Sequence, residues 1–103
     1  MSSGITTPPS RPVVYDKQDT PLGKAFRITF DAGQRLPTHA NPSRIVISVV
    51  RGSGSIALPA DAERQLVQGG FVQLEPNEPH AVTAGDGGLE LLVTMVENCC
   101  GMC

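Results

Sequence analysis

Three cysteines, Cys99, Cys100 and Cys103, fall within the last five residues of a 103-residue chain, and Met102 sits between them. Thiolates and a thioether this close together form a soft donor set suited to copper(I), zinc or another thiophilic ion. A disulfide framework spreads its cysteines to close long loops, whereas a bridge here would close only a few residues, so the tail is not expected to staple a fold. Cys100-Gly101-Met102-Cys103 is also a C-x-x-C. Redox pairs of that spacing sit at a helix start beside a βαβ unit, and no such unit is legible in this chain. The tail is therefore expected to bind metal or to cycle between thiol and disulfide; thiols that merely oxidise in air are the open alternative. The other groups with chemistry near neutral pH are the two histidines, His39 and His80, whose imidazoles titrate in that range and coordinate borderline metals.

Short strands must position these residues. Phe26, Ile28 and Phe30 alternate with Arg27 and Thr29, the period of a half-buried strand over Ala25 to Phe30. Arg44 to Arg51 is rich in β-branched residues, and Gly52-Ser53-Gly54 is read as a break before Ile56 and Leu58. Further strands are expected at Val13 to Tyr15, Gln65 to Val67, Phe71 to Leu74, His80 to Thr83 and Leu89 to Val96, with Gly69-Gly70 and Gly85-Asp86-Gly87-Gly88 as turns. About eight strands without helical periodicity or caps predict an all-β, antiparallel sandwich or small barrel. Residues 1–11 read as a flexible lead-in, 12–97 as one barrel domain and 98–103 as the cysteine-rich tail.

Composition narrows the function. Eight Lys and Arg against ten Asp and Glu, with a formal charge of −2, argue against a nucleic-acid partner, which needs clustered cations. No apolar run approaches the roughly 20 residues of a membrane helix, and the first dozen residues carry no signal-peptide core, so a cytoplasmic protein is expected. Eleven Gly and nine Pro suit many turns.

Two stretches resemble the motifs of the cupin superfamily. The first runs Gly33, five residues, His39, one residue, Asn41, three residues, Ile45, six residues, Gly52. The family pattern is Gly, five, His, one, His, three or four, Glu, six, Gly, so Asn41 stands in place of the second His and Ile45 in place of the Glu. The second stretch, Gly69 to His80, is similar to the other cupin motif: Gly69 and His80 fit, while Gly70, Glu75, Asn77 and Ala84 replace its Asp, Pro, Gly and Asn. A short intermotif segment, 16 residues between Gly52 and Gly69, matches the compact form of the family. The resemblance implies a single-domain antiparallel β-barrel of the double-stranded β-helix or jelly-roll type.

It also implies a site. Metal-binding cupins gather their motif residues on one divalent ion, often Fe, Mn, Ni, Cu or Zn, and this chain keeps His39 and His80 as candidate ligands. A catalytic centre usually has a third protein ligand, which neither Asn41 nor Ile45 matches well. Asn41 is a pocket residue or weak ligand, Ile45 a core residue, and Gln73 and Glu75 possible pocket residues, with Glu75 leading into the His80 loop. Glu75, Glu78 and Glu90 otherwise read as solvated strand-end charges, and Arg27 and Arg44 as exposed strand residues. Three functions stay open: a small metal-dependent enzyme, a metal-free module binding a small molecule, and a metal-handling or redox protein acting through its tail. Val46 and Val50, on the second face of the Arg44 to Arg51 strand, suggest a homodimer.

Overall fold

A computed structural model describes residues 12–21, 23–59 and 63–96. The lead-in 1–11 and the tail 98–103, with the roles expected of Cys99, Cys100 and Cys103, lie outside the described residues. The described chain forms seven strands, β1 (Val13–Thr20), β2 (Gly23–Phe30), β3 (Arg35–His39), β4 (Arg44–Ala57), β5 (Arg64–Val67), β6 (Phe71–Leu74) and β7 (His80–Val96). Every pairing is antiparallel. Among the described residues no helix is long and apolar enough to cross a membrane.

Two long strands organise the rest. The second half of β7 pairs with β2 on one side and with the first half of β4 on the other, and that half of β4 pairs onward with β6. The first half of β7 pairs with β3 and with the second half of β4, which pairs onward with β5. Each long strand thus contributes to two sets of neighbours, the way strands switch sheets through bulges in a barrel. Period-two alternation sends Ile28 and Phe30 of β2, Ile45, Ile47 and Val49 of β4, and Leu89, Leu91 and Val93 of β7 inward. They join Ile56, Leu66 and Val82 from the other half in one buried cluster. Burying each such side chain contributes about 1.5–3 kcal/mol, so the shared core holds the halves face to face.

The glycine clusters bend strands where breaks are expected from sequence. β4 continues through Gly52-Ser53-Gly54, with register shifts between Val49 and Arg51 and between Gly52 and Gly54, because β7 supplies partners on both sides of the irregularity. Gly52 has φ 87°, and a Cβ there would collide with the carbonyl oxygen of Gly88. Glycine permits both that dihedral and that backbone approach. Likewise β7 runs through Gly85 to Gly88 instead of turning there. β1 extends to Thr20 around a bulge between Tyr15 and Gln18. β3 is a strand that sequence pattern does not reveal: Pro37 lacks an amide hydrogen and lies within the register shift between Leu36 and His39.

Candidate functional site

His39 ends β3 and His80 begins β7, and the two are direct partners in the β3–β7 ladder. Their ring centroids lie 4.2 Å apart, with the planes tilted by 57°. The backbone carbonyl two residues before each histidine fixes its ring. His39 Nδ1 is 3.0 Å from the carbonyl oxygen of Pro37, and His80 Nδ1 is 3.0 Å from that of Glu78. A carbonyl only accepts, so each Nδ1 donates, and in the neutral ring the lone pair resides on Nε2. Metal-bound histidines are commonly held in this way by a backbone carbonyl. His80 is 3% exposed, whereas His39 reaches solvent. Burial holds the His80 pKa below the usual imidazole value, outweighing the upward pull of its bond to the Glu78 carbonyl, and nearby His39 lowers it further. His80 is thereby kept neutral, the form that can donate a lone pair.

Both rings open onto a cavity of about 150 Å³. Asn41 is its third polar lining residue; the remainder is apolar, from Phe26 and Ile28 through Ile47 and Val82 to Leu91, Val93 and Met95. Ile45 lines the cavity from the core side and is 5% exposed. Asn41 Oδ1 accepts the Ser43 N–H at 2.9 Å, and its backbone carbonyl accepts the Asn77 N–H at 2.7 Å. The amide oxygen thus already accepts one hydrogen bond in an Asx turn, and the side chain's NH₂ is a donor that suits an anion better than a cation. The second contact ties the loop bearing Asn41 to the loop leading to His80. Asn77 adopts φ 64°, so at the motif position usual for glycine the left-handed backbone is kept by the residue that tolerates it next best.

Gln73 and Glu75 do not line this cavity. In β6, Val72 and Leu74 are buried and Gln73 between them is exposed, so alternation turns it to the outer face. Glu75 is exposed and paired with Arg44 at 3.3 Å. Among the described residues no group of three or more His, Cys, Asp or Glu side chains is gathered as a metal cage. The donors that are present fit a divalent ion as a two-histidine half-site. With Zn–N near 2.1 Å and each centroid about 1.2 Å beyond its nitrogen, two imidazoles sharing an ion place their centroids roughly 4.6–5.3 Å apart, so the rings, 4.2 Å apart here, would spread slightly to hold one.

A second polar cluster lies on the outer face, and sequence reading misplaces its centre. Glu90 is 8% exposed rather than a solvated strand-end charge. Its carboxylate accepts the Tyr15 hydroxyl, meets Arg51 at 2.9 Å and lies 3.8 Å from Arg27, which also pairs with Asp16 at 3.3 Å. The Tyr15 hydrogen bond, then Arg51, hold the Glu90 carboxyl below its ordinary pKa. Four strands, β1, β2, β7 and β4, meet in this latch. The one sequence signal for it is a single acid interrupting the apolar run Leu89 to Val93.

No family model matches the sequence, and no curated protein matches it. Solved structures do. An RmlC-like cupin from Desulfovibrio desulfuricans superposes with a TM-score of 0.77 at 26% identity, over 93% of this chain and 92% of that one. An RmlC-like double-stranded β-helix cupin from Methanocaldococcus jannaschii gives 0.77 at 17% identity over 90% and 86%. A DMSP lyase from Ruegeria pomeroyi gives 0.79 at 20% identity over 86% of this chain but only 48% of that enzyme. The antiparallel double-stranded β-helix and these likenesses assign the chain to the cupin superfamily.

Proposed function

We propose that the barrel binds one divalent transition-metal ion through Nε2 of His39 and His80 and takes a small molecule into the adjoining cavity. The observation that carries this reading is the matched pair of Nδ1–carbonyl hydrogen bonds, which orient both rings with the ligating nitrogen unused. A divalent ion held there would supply Lewis-acid polarisation of a ligand oxygen. The chain's own part is to hold the two rings, to keep His80 neutral by burial, and to exclude water with the apolar lining.

The cysteine tail binds a thiophilic metal or cycles between thiol and disulfide, independently of the barrel; the softness of its donors supports this. The chain pairs as a homodimer. Support comes from exposed apolar residues on β1, β4 and β6, with Val13 50%, Tyr15 41%, Val50 38% and Phe71 64% exposed. Metal titration of the full-length chain with Cys99, Cys100 and Cys103 each changed to Ser isolates the barrel site. One equivalent of zinc(II) or cobalt(II) bound, and lost in both His39→Ala and His80→Ala, is the expected result. Unchanged metal content in those variants rejects the barrel site.

A further inference from the structure

The half-site is unbalanced in charge. Two neutral imidazoles leave a divalent ion with its full positive charge, and among the described residues no carboxylate lines the cavity. The carboxylates near the site in sequence are turned elsewhere: Glu75 pairs with Arg44, and Glu78 Oε1 accepts the Glu75 N–H at 2.9 Å. Asn41 offers a donor. An uncompensated charge beside an apolar cavity is costly, which favours a ligand that brings the negative charge with it.

Resting on the metal reading above, we infer that the cavity takes a compact, largely apolar monoanion, a monocarboxylate about the size of benzoate, and that ion and anion bind cooperatively. The polar end, made by His39, His80 and Asn41, receives the carboxylate, with the Asn41 NH₂ donating to it. The hydrocarbon lies against Ile47, Leu91 and Val93. The size follows from the volume: about 150 Å³ of apolar cavity accepts a benzene ring, and His39 at the polar end reaches solvent, so the ring fills the apolar part while the carboxylate and the ion sit at the open end. A sugar is a poor match, because its ring hydroxyls would meet a lining with three polar side chains and otherwise hydrocarbon.

The test is calorimetric titration of zinc(II) into the full-length Cys99→Ser, Cys100→Ser, Cys103→Ser chain, alone and with saturating benzoate, benzamide or formate. Benzoate carries charge and ring, benzamide the ring alone, formate the charge alone. Benzoate is expected to tighten zinc at least tenfold, benzamide less than twofold, and formate by less than benzoate. Zinc in turn tightens benzoate by the same factor, since coupling is reciprocal. Asn41→Asp keeps the Oδ1 acceptor for Ser43 while adding the missing charge. It is expected to tighten zinc in the absence of any acid and to shrink the benzoate effect below threefold. Zinc that binds equally well with and without benzoate overturns the monoanion and leaves the metal reading standing. Equal help from benzamide overturns the charge argument. No zinc binding by this chain or by Asn41→Asp, with or without benzoate, overturns both readings together.

Discussion

Ile45 of β4 and Met95 of β7 are direct ladder partners, and both line the cavity that the two histidines open onto. Position 45 is where the cupin motif places its glutamate, so an acid introduced there enters the same space as the imidazoles. Ile45→Glu is expected to destabilise the metal-free protein by about 1–3 kcal/mol, because a carboxyl replaces hydrocarbon in a largely dry wall. Zinc should reverse that loss, and zinc affinity should exceed that of the native sequence by tenfold or more. Thermal melts with and without zinc, beside a zinc titration, check both halves; a variant that binds zinc no better places residue 45 out of reach of the histidines.

Glu90 supplies a pH dependence. Its folded-state pKa lies below the ordinary 4.5, chiefly through the Tyr15 hydrogen bond. The unfolded chain therefore takes up the proton first. The latch stabilises the fold fully above pH 4.5, and that contribution fades as pH drops through the lower folded value. Glu90→Gln is expected to be less stable than the native protein by about 1–3 kcal/mol at pH 7, with the gap closing in acid. His80 contributes equally to both proteins and cancels in the difference. Urea midpoints from pH 7 to pH 3 measure it, and a gap that stays constant with pH would remove Glu90 from the account.

Gly52→Ala asks two things of the backbone that alanine resists, a φ of 87° and the approach of Gly88. A loss of about 1–3 kcal/mol is expected. Gly69 makes a control, since it shares a positive φ of 89° but has open space where a Cβ would stand. Gly69→Ala should therefore lose less than Gly52→Ala in the same denaturant titration.

A chain ending at Asn98 should melt within a few degrees of the full-length protein, because a bridge among Cys99, Cys100 and Cys103 constrains too short a loop to matter to folding. Copper(I) or zinc uptake beyond the barrel site should disappear. Equal uptake by the two chains would make the tail a bystander.

Much of the architecture was legible because period-two alternation is strong where one face is buried. Ile45, Ile47 and Val49, and Phe26, Ile28 and Phe30, write the inner wall directly into the text. What stayed hidden depends on pairing partners distant in sequence. Nothing local tells a glycine cluster that bends a strand from one that ends it; β7 decides this for Gly52 to Gly54. His39 and His80 could be named from the motifs, but their carbonyl partners and the engaged Asn41 oxygen are products of folded loops. Gln73 and Glu75 were adjacent in sequence to the right loop and belong to the outer surface, a distinction of one residue in strand phase.

The sharing of β4 and β7 between both halves also bears on how the chain finds its shape. Neither half can be completed from a continuous piece of sequence: Arg44 must reach Val96 and Ala57 must reach Ala81 before the inner residues have anything to pack against. Chain entropy is spent on long loop closures before contacts reward it, which makes for slow folding, on the order of milliseconds to seconds, with few partial solutions on the way. A fragment ending at Val67 would retain β1 to β5 yet lack the strand that pairs with β2, β3 and β4. The long-range ladders of β7 thus set the pace of folding, and the histidine pair is assembled only once β7 has paired with β3.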